Sequence, residues 1–265
     1  MSRNLFTAVF DALMCHDPDD KVRFVERVQA EWEAGDLDVK RQVDIVEVPV
    51  PGRPDLPELV APRALRQRGL GSKAGRAAFV HALTHIEFNA INLALDAVYR
   101  YQDLPRQYYR DWLRVAAEES RHFMMLRLRL RELGSDYGAM PAHNGLWDMA
   151  VRSQDTVYLR MALVPRVFEA RGLDVTPKMI ERLQSVGDEK TVALLEIILN
   201  DEIGHVEIGN RWYIWACHAQ GLEPVKTFKE LLDQYFPGQL RGPFNYDARL
   251  KAGFSRAELE QLERV

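Results

Sequence analysis

The sequence predicts an all-α fold, a four-helix bundle with helical and irregular additions at both ends. A composition rich in Ala, Leu, Val and Arg favours helices. Four long stretches repeat apolar residues at helical spacing. The pattern acid, Glu, two spacers, His also occurs twice, as Glu118-Glu119-Ser120-Arg121-His122 and, about eighty residues later, as Asp201-Glu202-Ile203-Gly204-His205. Residues three apart on an α-helix share a face, so each Glu and its His can address one object.

At 265 residues the chain can bury one large core or two small ones, and one compact domain with elaborations is expected. A net charge of -4 gives no general field for nucleic acid. Cys15 and Cys217 form no Cys-x-x-Cys, so neither a disulfide framework nor a thiolate metal site is expected. Free thiols, the absence of an apolar run near the ~20 residues of a bilayer span, and an N-terminus without a signal core predict a soluble, cytoplasmic protein with no membrane partner.

Residues 1–71 are assigned to N-terminal helices and a Pro-rich wrap. Leu5 to about Glu33 is helical, interrupted at His16-Asp17-Pro18, where Asp17 caps a second helix that Pro18 starts and Gly35 ends. Val43, Ile45, Val46, Val48 and Val50 suggest an extended piece, and five prolines from Pro49 to Pro62 forbid a long helix. Residues 72–220 hold the bundle. Ser72 caps a helix to about Tyr101 with Glu87 inside its apolar stripe. Pro105 starts the next, with Glu119 on the face of Trp112, Val115, Ala116 and Phe123, and Gly134 ends it. After a crossover from Ser135 to Leu146, a third helix is expected from Trp147 to Arg171, stopped by Gly172 and kinked by Pro165 near Glu169. Thr176-Pro177 then opens a short helix ending by Gly187. Asp188 caps the fourth, to about Ala219, with Glu202 among Leu195, Ile198, Val206 and Gly209. Residues 221–265 add a helix near Val225 to Tyr235, an irregular stretch from Arg241 to Gly253, and a helix opened by the capping box at Ser255 and Glu258.

Glu87 precedes Glu119 by 32 residues and Glu169 precedes Glu202 by 33, so two helix pairs offer Glu, then Glu-x-x-His, in the same order. Four carboxylates on inward stripes cost several kcal/mol each to bury without cations. Two divalent ions would balance them, and oxygen with imidazole nitrogen suits iron or manganese. Glu87, Glu119, His122, Glu169, Glu202 and His205 are therefore the candidate metal ligands. Glu118 and Asp201, four before each His, either orient the imidazole from behind or lie on solvated helix faces. His81 and His85 project away from Glu87 and are expected to be hydrogen-bonded or at the surface. Asp155 and Tyr158 either line a pocket or are satisfied polar residues, and the arginines from Arg121 to Arg131 form a solvated face.

These residues resemble the ferritin-like di-iron carboxylate superfamily. The stretches His81-Ala82-Leu83-Thr84-His85-Ile86-Glu87-Phe88-Asn89-Ala90-Ile91-Asn92 and Gly242-Pro243-Phe244-Asn245 are similar to a bacterial branch, domain-of-unknown-function family 455, over nearly the whole chain. The resemblance implies a ferritin-like bundle holding two iron ions, with manganese or a mixed pair as alternatives. It also implies Glu119 and Glu202 as bridges, Glu87 and Glu169 as terminal ligands, and one His on each metal. The expected activity is an O₂-activating oxidase or monooxygenase, with O₂, an unknown substrate and an electron-donor protein as partners; a homo-oligomer is compatible with the sequence. The nearest concrete reaction is hydroxylation, as in the superfamily's tRNA-modifying hydroxylase, which the chain resembles distantly. The alternatives are ferroxidase or iron storage, and a bundle whose metal is structural.

Overall fold

The structure, a computed structural model, describes residues 3–65, 69–238, 240 and 242–263. Among the described residues it is all-α apart from one short two-stranded pairing and one isolated bridge. The chain divides into two compact units, Met1–Val151 and Arg152–Val265.

In the first unit, β1 (Arg3–Asn4) pairs in parallel with β2 (Leu37–Asp38). Between them run α1 (Leu5–Leu13) and α2 (Pro18–Ala34). The expected punctuation is present: the Asp17 side chain accepts from Asp20 N, Pro18 occupies the first turn, and Gly35 takes a left-handed φ of 78°. The extended piece from Val43 forms no strand ladder. Side chains near the end of α3 (Lys73–Arg100) satisfy it instead: Val43 N donates to Gln102 Oε1 (2.9 Å) and Val46 N to the Tyr99 hydroxyl (2.8 Å). Further along, Leu59 bridges Ala142, and Trp147 Nε1 donates to Pro49 O (3.1 Å), so the wrap is held along its length.

The centre of this unit is the pair of α3 and α4 (Arg106–Glu132). Ser72 caps α3 by accepting from Gly75 N, Pro105 stands at the α4 cap, and Gly134 ends that helix with φ 83°. From Glu87 to Arg100 every residue of α3 is buried, which is why its stripe is less one-sided than that of α4. Arg127, expected on a solvated face, joins Asp19 Oδ1 and Asp136 Oδ1 at 2.9 Å each, tying α2 and the crossover to α4.

The expected helix from Trp147 to Arg171 is broken into shorter pieces. Helix α5 (Gly145–Arg152) ends at the unit boundary, and Thr156 caps α6 (Val157–Leu163). A π-helical turn then spans Val164–Glu169 and leads into α7 (Ala170–Gln184). Pro165 has no N–H, and its ring would strike the carbonyl four residues back; a wider coil relieves both, and Ala170 N bonds to Pro165 O in the i→i+5 manner. Gly172 does not stop the helix, and Pro177 lies inside α7 rather than opening a new one. The Leu173 carbonyl that Pro177 leaves without an N–H accepts instead from Asn245 Nδ2 at 3.1 Å.

Asp188 caps α8 (Glu189–Ala219), which packs on α6, the π-turn and α7. Then come α9 (Pro224–Tyr235), α10 (Tyr246–Lys251) and α11 (Arg256–Leu262). The stretch expected to be irregular contains α10, capped by Asn245; Arg241, where it was set to begin, lies outside the described residues. The Ser255–Glu258 capping box is present, and Glu258 also pairs with buried Arg166. That guanidinium lies 4.0 Å from the Phe228 ring centre and 4.4 Å from that of Tyr213. Among the described residues, no helix is long and apolar enough to cross a membrane.

Candidate metal centre

In the first unit, α3 brings Glu87, and α4 brings Glu119 and His122, to one buried point. His122 Nδ1 lies 3.4 Å from Glu87 Oε2 and 3.4 Å from Glu119 Oε2. Glu87 is 4% exposed, and Glu119 and His122 are 0% exposed. One ligand atom from each lies within 4.8 Å of the others, so the cluster can hold a metal ion. The placement follows from sequence: Glu119 and His122 are one turn apart on the buried face that includes Ala116, Phe123 and Leu126.

The electrostatics show what the cluster lacks. Burial, and then the neighbouring Glu119 charge, push the Glu87 carboxyl well above its usual range. Burial alone would lower His122, but the carboxylates of Glu119 and Glu87 outweigh it and push the imidazole up to about 11. Two carboxylates and one ring are short of positive charge. Glu87 Oε2 is buried and accepts no hydrogen bond of good geometry, and an oxygen and nitrogen donor set without sulfur suits iron or manganese. The residues present therefore fit a divalent cation.

The second unit repeats the motif. On α8, His205 Nδ1 lies 3.8 Å from Glu202 Oε2, and the ring is fully buried. The same ring nitrogen faces the Glu three residues earlier in both copies. Glu169, half-buried, is the last residue of the π-turn, which packs against α8. Glu118 lies 3.7 Å from Arg114 Nε in an ion pair along α4, and Asp201 Oδ1 accepts from Asn200 Nδ2 at 3.4 Å.

His81 and His85 are hydrogen-bonded, the first to Gly138 N and the second to the Tyr137 hydroxyl and His143 O. Asp155 is exposed in the break before α6, so it shares no continuous stripe with Glu169. Trp212 is buried and packs edge-on against the partly exposed Trp215. Cys15 and Cys217 are free thiols.

The sequence reading missed Lys21. It is 0% exposed, and its Nζ donates to Ala12 O (3.0 Å), Leu13 O (2.7 Å) and Asn92 Oδ1 (2.7 Å). Its signal was a lysine at a stripe position of α2, in register with Val25, Val28 and Trp32.

Helical fold and buried cluster define an all-α protein with a carboxylate–imidazole group able to hold a metal ion. The chain belongs to the family described as protein of unknown function (DUF455), which matches residues 14–260. It is similar to an "Uncharacterized protein" of Haemophilus influenzae, 46% identical over 219 residues, covering 80% of this chain and 76% of that one. No solved structure matches.

Proposed function

We propose that the chain is a ferritin-like dinuclear carboxylate protein, an O₂-activating oxidase or monooxygenase. In this proposal Glu87, Glu119 and His122, together with Glu169, Glu202 and His205, hold two iron ions, with manganese or a mixed pair as alternatives. The observation that supports it best is the buried Glu87–Glu119–His122 cluster. Its charges are costly to bury in the absence of a cation. The second Glu-x-x-His, with the same ring nitrogen toward its Glu, doubles the donor set.

Bound ferrous ions would supply the electrons for O₂ reduction; the chain supplies the place. By the superfamily resemblance, Glu119 and Glu202 would serve both ions, Glu87 and Glu169 one each, and His122 and His205 one each. The buried Phe88 and Phe123 next to Glu87 and His122 keep bulk water from the first cluster. The π-turn gives Glu169 a backbone less constrained than an α-helix, a property useful for a ligand that shifts as substrate enters. Substrate and an electron-donor protein complete the proposed partners.

The test is anaerobic reconstitution with Fe(II), followed by O₂ exposure and measurement of metal content, oxo-bridged diferric absorption and O₂ uptake. About two irons per chain, lost in Glu119→Ala and His122→Ala, are expected. Less than one metal per chain, unchanged by those substitutions, would overturn the proposal. Hundreds of irons per assembly would make the protein a store, and stable binding without O₂ uptake would make the metal structural.

A further inference from the structure

A cavity of about 410 Å³ opens beside α3 in the first unit, lined in part by Ala82, Ile86, Met140 and Leu146. It is separate from the carboxylate cluster. At about 100° per residue, Ala78, His81, Ala82, His85, Ile86 and Asn89 occupy one side of α3, and Glu87 points to the other. No charged side chain lines it among the described residues. Its size is that of a small-molecule site.

Three histidines line the cavity, and their hydrogen bonds decide what they can offer. Gly138 N donates to His81 Nε2 at 3.1 Å, and Gly145 N donates to His143 Nδ1 at 3.1 Å. A peptide N–H donates only to a bare ring nitrogen, so each ring carries its proton on the other nitrogen. His85 is engaged on both sides, by the Tyr137 hydroxyl (2.9 Å) and by His143 O (3.1 Å). Each ring thus has its bare nitrogen occupied, which removes the lone pairs a metal would need. Two donors remain, His81 Nδ1–H and His143 Nε2–H. Asn89 Nδ2 donates to His85 O at 2.9 Å and lies 3.0 Å from His85 Nε2, leaving Asn89 Oδ1 as an acceptor.

We infer that this cavity binds an uncharged molecule with an apolar body and one hydroxyl group, an alcohol or a phenol. A hydroxyl accepts two hydrogen bonds and donates one, matching the two imidazole donors and the one carboxamide acceptor. The alkyl and thioether walls take the body. A carboxylate or an ammonium would lose its hydration with no opposite charge to meet it among the described lining residues.

The test uses three probes with one body, 2-naphthol, naphthalene and 2-naphthoate, titrated into the full chain by calorimetry. Saturable 1:1 binding of 2-naphthol is expected, with naphthalene and 2-naphthoate each at least tenfold weaker. Ile86 is 42% exposed, so Ile86→Trp can fill the mouth without disturbing the core; it is expected to weaken 2-naphthol at least tenfold with the melting point unchanged. His143→Phe is expected to weaken 2-naphthol and leave naphthalene unaffected. Glu119→Ala should leave all three affinities alone, which separates this site from the metal proposal. Absence of saturable binding, 2-naphthoate binding as tightly as 2-naphthol, or indifference to Ile86→Trp would overturn the inference.

Discussion

Pro165 and Gly209 touch so closely that a Cβ on Gly209 would lie 2.1 Å from Pro165 Cβ and 2.7 Å from its Cγ. The proline makes the π-turn, and the glycine lets α8 lie against it. Neither side can yield, because a pyrrolidine ring faces a helix backbone. Gly209→Ala is therefore expected to destabilise the protein by about 2 kcal/mol through overpacking, despite alanine's better helix propensity. Urea midpoints of the two proteins measure this, and equal midpoints would show that the turn can move aside.

The carboxylate cluster should trade stability for binding. With His122 protonated, Glu87 and Glu119 still leave one negative charge, or one extra proton, in the core. In protein freed of metal by chelation, Glu119→Gln is expected to raise stability by about 1–2 kcal/mol. Anaerobic Fe(II) should then raise the melting temperature of the parent and leave that of the variant where it was. A variant less stable than the metal-free parent would show that Glu119 holds the fold together by itself.

Lys21 works in the opposite sense, as a buried donor the fold needs. Burial pushes its amine down to about 7, and its Nζ serves the carbonyl end of α1 and the Asn92 amide oxygen together. Lys21→Met keeps much of the volume and strands Asn92 Oδ1, while Ala12 O and Leu13 O keep the backbone donors Cys15 N and Gly52 N, so a loss of about 2 kcal/mol is expected. Hydrogen exchange should show protection falling first in α1 and the start of α2; a uniform loss over the chain would contradict a local role.

Acid should release α11 early. Burial would raise the Glu258 carboxyl, but the Arg166 guanidinium and the Ser255 bonds outweigh it and hold it below the ordinary 4.5. A depressed folded value means that the stabilisation is complete above about pH 4.5 and is lost as pH falls through the folded value. Protection at residues 255–262, the factor by which exchange is slowed relative to the unfolded chain at the same pH, is expected to fall on acidification below pH 4.5 in the parent. In Glu258→Gln it should already be low at pH 7. A variant with the parent's acid profile would remove Glu258 as the cause.

Local chemistry was legible where a residue's partners lie within a turn or two. Asp17, Ser72, Asp188 and Ser255 cap the helices they announce, and Glu119 with His122 share the face that their spacing dictates. Pro177 was misread because the group that rescues its helix, Asn245, lies far along the chain. Pro165 gave the right position and the wrong form, since a proline signals disturbance without saying whether the coil bends or widens. Lys21 was passed over because a lysine on an apolar stripe is indistinguishable in sequence from one that reaches solvent.

The π-turn at Val164–Glu169 also sets what kind of genetic change this region tolerates. A π-turn holds one more residue than the α-helical turn it replaces, so it stores a count as well as identities. Losing one codon here would let the coil regularise into an α-helical turn while the flanking helices keep nearly their register. The same deletion inside α6 or α7 would rotate everything beyond it by about 100°. The turn is thus where this segment can lose a residue at least cost, provided the residue lost is Pro165, whose ring would otherwise meet the carbonyl four residues back.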